Sequence, residues 1–360
     1  AFSASAYFGV GIRVARWLSH ALYDVRLRVV DEDALKAIPP DATVVFVMNH
    51  RSNMDYVLVT YLVAERSALS YAVGEWARVW PLSALVRSMG AYFIRRQRRG
   101  QKNDRLYRRV LARYVQMATA AGVTQALFPE GGLSLDGHLA PAKAGLLRYI
   151  REGAAASGRD VVFVPVALSY DRVLEDRVLL GAAEAGTRRF RARLPTILRF
   201  AGRMGWLRLR GRFRRFGQAG VTLGRPLPLS EAPARAEDLA RELMARIGAA
   251  MPLLPVPLVA RALADAGGPL PQAGLVAQVG RTLAEAGRDP EEAEATVAEG
   301  LRRLRLRKLV RTGPAGIEPA PGTSRLIRFY AAAARPGGPA PLPAPSSAGA
   351  AALPVASVGT

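Results

Sequence analysis

The sequence predicts an α/β domain over residues 33–229, a largely parallel twisted sheet flanked by helices, and a smaller helical domain over 230–334. Three observations lead there. Short apolar runs at 44–48, 125–128 and 161–168, two of them rich in β-branched residues, read as buried strands. Segments with apolar residues at helical spacing alternate with them. That order is expected of strands joined by helices, with functional groups at the strand ends. From Ser230 onward the composition turns to Ala, Glu and Arg at helical spacing, with no further strand run of that kind.

In chain order, residues 1–32 place Phe8, Ile12, Trp17 and Leu22 at roughly helical intervals, with Arg13 and Arg16 among them. This predicts an N-terminal amphipathic helix, lying either in a membrane interface or against the domain. The run 44–48 stops at Asn49-His50. Ser52 and Asn53 are good helix caps, and 54–66 carries helical spacing. Residues 76–89 read as helix or loop, with Pro81 as a start signal. G-A-Y-F-I-R-R at 90–96 is a short aromatic strand ending in Arg95 and Arg96, and 97–104 is a polar loop. Residues 105–121 form an amphipathic helix closed by Gly122. The strand 125–128 runs into P-E-G-G at 129–132, and Ser134, Asp136 and Gly137 mark a turn. Residues 143–152 are helical, 161–168 is a continuous apolar strand followed by S-Y-D-R, and 220–229 is a last strand leaving the domain. Helices are expected at 237–251, 275–285 and 290–309, with 325–334 as a closing strand or helix. Residues 335–360 are Pro, Ala, Gly and Ser with almost no charge, and read as a disordered tail.

Composition narrows the chemistry. The chain has no cysteine, which excludes a thiolate nucleophile, disulfides and Cys-ligated zinc. Its three histidines, His20, His50 and His138, are too few for a His-rich metal site, and none is expected. No run of 18 apolar residues is present, so no spanning helix is expected. The first residue is Ala rather than Met, which suggests a fragment or processed product. The net charge is +22, carried mostly by Arg, a residue suited to phosphate. Residues 185–230 contain twelve arginines and no acid, interleaved with aromatics. Such a surface fits an anionic membrane or a nucleic-acid groove.

The chemistry concentrates at 43–56, T-V-V-F-V-M-N-H-R-S-N-M-D-Y. Within one helix, residues five apart lie about 140° apart around the axis. Here a strand-to-helix turn can fold His50 back over the helix start, within reach of Asp55. An Asp that orients an imidazole fixes its tautomer and stabilises the imidazolium, which makes a general base for an alcohol. Taken alone the pair also admits a plain structural role, with His50 ending the strand and Asp55 complementing the helix dipole.

Four blocks stand in order: N-H-R-S-N-M-D, G-A-Y-F-I-R-R, F-P-E-G-G-L-S and V-P-V-A-L-S-Y-D-R. Together, over roughly 40–230, they resemble the glycerolipid acyltransferase family, most closely its glycerol-3-phosphate and dihydroxyacetone-phosphate acyltransferase branch. The resemblance implies a mixed, largely parallel sheet. It implies His50 as general base and Asp55 as its partner. It implies Arg95 and Arg96 on the acceptor phosphate, with Arg96 the better match, Glu130 and Gly131 on the acceptor, and Pro165 on the acyl-donor side. Glycerol 3-phosphate would accept an acyl group from acyl-CoA or acyl carrier protein, with no cofactor beyond that co-substrate. The protein would lie peripherally on an anionic membrane, at the cytoplasmic face of a bacterial inner membrane. Backbone N–H groups near Ser52, or cationic side chains, would hold the oxyanion.

One departure bears on the acceptor. The family's third block usually reads Glu-Gly-x-Arg-Ser-Arg, whereas Leu133 and Leu135 stand here where arginines are expected. Lys143 matches a lysine found near this block in parts of the branch and would compensate in part. Other acceptors, 1-acylglycerol 3-phosphate or dihydroxyacetone phosphate, stay open, as does an inactive membrane-binding scaffold. Charge alone would also allow a nucleic-acid binder, but it leaves the His50–Asp55 block and P-E-G-G unexplained, which argues against nucleic acid.

Overall fold

The computed structural model describes residues 11–63, 70–73, 91–93, 104–186, 194–211 and 213–334. Its order is α1 (Ile12–Leu22), β1 (Asp24–Val29), α2 (Glu32–Lys36), β2 (Thr43–Met48), α3 (Met54–Val63), β3 (Ser70–Val73) and β4 (Ala91–Phe93). Then come α4 (Asp104–Ala120), β5 (Gln125–Leu127), α5 (Gly145–Ser157), β6 (Val161–Tyr170), α6 (Asp176–Glu184) and α7 (Leu194–Leu209). The chain continues through β7 (Gln218–Leu223), β8 (Leu227–Pro228), α8 (Ala236–Ala249), α9 (Pro255–Ala266), α10 (Gln272–Glu285) and α11 (Ala293–Leu306). It closes with β9 (Val310–Gly313), β10 (Gly316–Pro319) and α12 (Ser324–Ala331).

The described strands form a mixed eight-stranded sheet in the order β1-β7-β6-β2-β5-β3-β4, with β8 also on β6. β2 runs parallel to β5 and β6, β3 to β4 and β5, and β1 to β7, while β7 and β8 lie antiparallel to β6. β6 is buried along its whole length. That is why its sequence is an unbroken apolar run rather than an alternation.

Alternation across the pleat divides the core in two. Val45 and Val47 of β2 and Phe163 of β6 face α4, α5 and α8, packing with Val115, Leu147, Ile150, Leu239 and Leu243. Phe46 and Met48, with Val166 and Leu168, face the other way, toward Leu58 of α3 and the helices from α9 to α12. The helices after residue 230 therefore share both cores with the sheet. The composition change at Ser230 marks a change of secondary structure.

Several expectations need correction. Residues 24–29 form β1, paired in parallel with β7, so the N-terminal helix ends at Leu22. Their alternating charged and apolar residues, D-V-R-L-R-V, suit an edge strand. α9 was not among the expected helices. Pro255 occupies the first turn, where a missing N–H costs nothing. The 310–319 hairpin was missed as well, and 325–334 is mostly helix. Part of the arginine-rich stretch forms α7. The expected helix 76–89, loop 97–104 and tail 335–360 lie outside the described residues, as do residues 1–10.

Candidate active site

The site sits where β2 and β6 end side by side. Asn49 closes β2 with its side chain: Nδ2 donates to the Leu168 carbonyl at 2.9 Å, and the Leu168 N–H donates to Oδ1 at 2.7 Å. A side chain thus continues the ladder by one rung after the backbone has turned away. The turn places His50 next, with Nδ1 2.8 Å from Asp55 Oδ2. The imidazole is 5% exposed and Asp55 0%.

Asp55 organises the turn as well as the ring. Its Oδ2 also accepts the N–H groups of Arg51 at 2.7 Å and Ser52 at 3.0 Å. Its Oδ1 accepts the Tyr170 hydroxyl at 2.5 Å. The N–H of Asn53 goes to Glu175 and that of Met54 to Ser52 Oγ. The helix start near Ser52 therefore has its amides occupied by the protein's own side chains. Those amides are thus already engaged and not turned to the oxyanion role expected of them.

The imidazole plane is held by two rings. Phe128 stacks on it with centroids 4.1 Å apart, and Tyr56 meets it edge-on at 5.3 Å. With Nδ1 on the carboxylate and the ring clamped, Nε2 is the nitrogen that can take a proton from an acceptor hydroxyl.

Glu130, expected to bind the acceptor, has a different observed set of contacts. Its two oxygens accept the N–H groups of His50 and Ala140, each at 2.8 Å, and it is 2% exposed. Burial pushes its carboxyl above the usual range, and the two amides pull the other way. What it holds is the main chain under the imidazole. Ser134 N–H completes the clasp by donating to the His50 carbonyl at 2.9 Å.

Gly131 lies beside Glu130 with φ +69°, and a Cβ there would come within 2.6 Å of Lys143 Nζ. So Gly131 is needed both for its left-handed backbone and for the approach of Lys143. Lys143 is exposed, and its N–H donates to the Pro129 carbonyl at 2.8 Å. The structure thus brings His50, Asp55, Glu130, Gly131 and Lys143 together.

Pro165 lies apart from them. It is buried inside β6, opposite Val47, where the antiparallel neighbour breaks between Leu223 and Leu227. A residue with no N–H is tolerated at such a break. Arg95 and Arg96 lie outside the described residues. Leu133 and Leu135 pack against the core. Gly137 on the same loop, at φ +88°, lies against the main chain of Phe329 in α12, where no side chain would fit.

Sequence reasoning missed Asn49, Tyr170 and Glu175. Glu175 accepts from Ser52 Oγ at 2.8 Å and from Asn53 Nδ2 at 2.8 Å, and burial raises its carboxyl above the usual range. The S-Y-D-R motif contained a signal, since a tyrosine ending a strand parallel to β2 falls beside the His50 turn.

The chain is similar to known acyltransferases. Residues 26–169 match the model of the family described as Acyltransferase. A glycerol-3-phosphate acyltransferase of Pseudomonas syringae pv. tomato is 31% identical over 222 residues, covering 61% of this chain and 25% of that protein. One from Pseudomonas fluorescens SBW25 is 30% identical over 235 residues, covering 63% and 26%. The chain thus spans about a quarter of the length of these relatives. Among solved structures, the 1-acyl-sn-glycerophosphate acyltransferase of Thermotoga maritima aligns with TM-score 0.39 and 20% identity over 67% of this chain and 75% of that one.

Proposed function

We propose that this chain is a glycerolipid acyltransferase, on the match of residues 26–169 to the Acyltransferase family, and that it moves a fatty acyl group from acyl-CoA or acyl carrier protein to glycerol 3-phosphate, giving lysophosphatidate. The observation that carries this reading is the 2.8 Å contact of His50 Nδ1 with a buried Asp55. His50 Nε2 removes the acceptor hydroxyl's proton as its oxygen attacks the thioester carbonyl. The tetrahedral intermediate then collapses, the C–S bond breaks, and the departing thiolate takes the proton back from the imidazolium. No covalent enzyme intermediate is needed. A positioned base contributes about 10²–10⁴-fold.

Lys143, beside Gly131, and Arg96 with Arg95 supply cations for the acceptor phosphate. A second acceptor, 1-acylglycerol 3-phosphate, stays open because Leu133 and Leu135 stand where arginines are expected, which leaves the third block with fewer cations for a small phosphorylated acceptor. Release of CoA from a long-chain acyl-CoA, measured with glycerol 3-phosphate, dihydroxyacetone phosphate and 1-acylglycerol 3-phosphate in turn, decides among them. Turnover with none of the three would overturn the reading.

Membrane association is part of the proposal, as a peripheral protein on an anionic surface at the cytoplasmic face of a bacterial inner membrane. Among the described residues no helix is long and apolar enough to cross a membrane. Support comes from α1 and α7, where Trp17 is 63% exposed, Trp206 49% and Leu209 90%. Arg210 lies over the Trp206 ring at 4.3 Å and Arg208 over Trp17 at 5.7 Å. Exposed aromatics capped by cations suit the headgroup boundary. Each basic residue there contributes about 1 kcal/mol. Co-sedimentation with anionic vesicles should weaken with salt, whereas equal binding to neutral vesicles at low salt would count against this mode.

A further inference from the structure

The segment leaving β6, residues 170–176, touches three parts of the molecule at once. Tyr170 reaches the Asp55 carboxylate and Glu175 reaches Ser52 and Asn53. Behind them, the C-terminal helices grip the same turn. Asp171 accepts the N–H groups of Val256 at 2.9 Å and Gln218 at 2.8 Å. Asp176 accepts the Tyr330 hydroxyl at 2.5 Å and pairs with Arg307. Val173 N–H donates to Tyr330 at 3.1 Å. The Tyr170 ring is 2% exposed and packs against Tyr23 at 5.4 Å, while Tyr23 donates to the Arg172 carbonyl at 2.7 Å. Tyr170 is therefore held on both sides of its own position in the chain.

Its hydroxyl has one partner of consequence. Asp55 Oδ2 already receives the imidazole and two amides, so Oδ1 is the oxygen left over, and among the described residues Tyr170 is its donor. A carboxylate bound at one oxygen can rock about its Cβ–Cγ bond. Bound at both, it holds a single orientation.

We propose that Tyr170 is a positioning residue for the His50–Asp55 pair: by engaging Asp55 Oδ1 it locks the carboxylate so that Oδ2 alone faces the imidazole. The inference rests on the reading of His50 as the base. Burial, and next the charge of Asp55, push the tyrosine's ionisation well above its usual range, so it stays a neutral donor. It also draws negative charge away from Oδ2. Removing it returns that charge to the bond with Nδ1, and frees the carboxylate to turn.

The experiment reads the His50 Nδ1–H proton resonance in the resting protein, with the carbon-bound ring protons of His20 and His138 as internal references. Tyr170→Phe keeps the ring and its packing on Tyr23. It should move the His50 resonance downfield and leave the other two in place. In turnover, kcat should fall about tenfold or more, the scale of one hydrogen bond to a charged group, with both KM values within about twofold. Thr43→Val, which loses a buried hydroxyl bond to the Thr119 carbonyl at the far end of β2 without touching Asp55 or the 170–176 turn, should leave resonance and kcat unchanged. A monofluorinated tyrosine placed at 170 is a stronger donor that keeps every bond, and should move the resonance upfield. That arm holds even if the phenylalanine variant fails to fold. An unmoved His50 resonance in both proteins substituted at 170, or the same shift in Thr43→Val, would overturn the proposal. Because the resonance is read without substrate, it separates this inference from the reaction. If the Tyr170 variants show the shift while the wild-type protein transfers no acyl group, the function is refuted and the positioning stands.

Discussion

The His50 turn and the Gly131–Lys143 lip are neighbours built in opposite ways. In the turn, the amides of residues 50–54 and both oxygens of Asp55 are engaged inside the protein. At the lip, an exposed lysine leans over an exposed glycine. The contrast follows from what each part would do. A base must meet its proton within a few tenths of an ångström, and misplacement costs rate steeply. A phosphate is a diffuse dianion that a mobile ammonium can follow. One half of the site is therefore defined by geometry and the other by charge.

Substitutions can break that contrast, beginning with the turn. His50→Ala should reduce kcat by about 10²–10⁴-fold with the fold intact. Asp55→Asn should approach it, because an amide cannot stabilise imidazolium and its NH2 would oppose the Arg51 and Ser52 amides. Circular dichroism and steady-state kinetics on the purified variants check both, and a folded His50→Ala protein with wild-type turnover would remove the proposed base.

On the charge side, Arg96→Ala should raise the acceptor KM by about 10–150-fold, the scale of a charge-assisted contact. Lys143→Ala, at an exposed and screened position, should raise it only a few-fold. The donor KM should hold in both. An effect on the donor KM alone would assign these cations to CoA phosphates instead.

A subtler test of geometry is Phe128→Leu. It keeps apolar volume under the imidazole but removes ring stacking, which contributes about 0.5–1.5 kcal/mol. If that packing serves the transition state, kcat should drop about two- to tenfold while the acceptor KM stays put.

The smallest effect concerns Asp171, where the C-terminal helices are anchored. Burial raises its carboxyl to about 6 from an ordinary 3.8. Between those values the folded protein keeps a proton that the unfolded chain releases, so this group stabilises the fold increasingly as pH falls from about 7 toward 4. Asp171→Asn lacks that term. The stability gap between wild type and variant, measured by urea unfolding, should therefore be wider at pH 5 than at pH 7.

Much of this was legible in the sequence, and the misses have physical causes. Apolar runs gave β2, β5 and β6 within a few residues, because strands buried on both faces leave a continuous signature. The His50–Asp55 spacing pointed to the pair, because a five-residue loop from strand to helix has few ways to close. β1 escaped because an edge strand needs only half an apolar pattern, and six residues of it resemble the end of a helix. The main-chain contacts of Glu130 were not legible because a motif records residue type but not direction. Its two amide partners, His50 and Ala140, became visible only once the loops were folded over it. Tyr170 lies 115 residues from the carboxylate it holds. No local periodicity encodes such a contact.

The parallel pairing of β1 with β7 spans about 190 residues of chain. At roughly 5–20 residues per second of synthesis, β1 leaves the ribosome some 10–40 s before its partner exists. During that interval it is an unpaired strand, open to association with any other exposed edge. Its Asp24, Arg26 and Arg28 alternate with valines and leucine, so one face stays charged while it waits. Charge on a solitary strand is a known defence against such pairing. The β1–β7 register is thus set long after β1 is made, and the residues that make the delay tolerable lie in β1 itself.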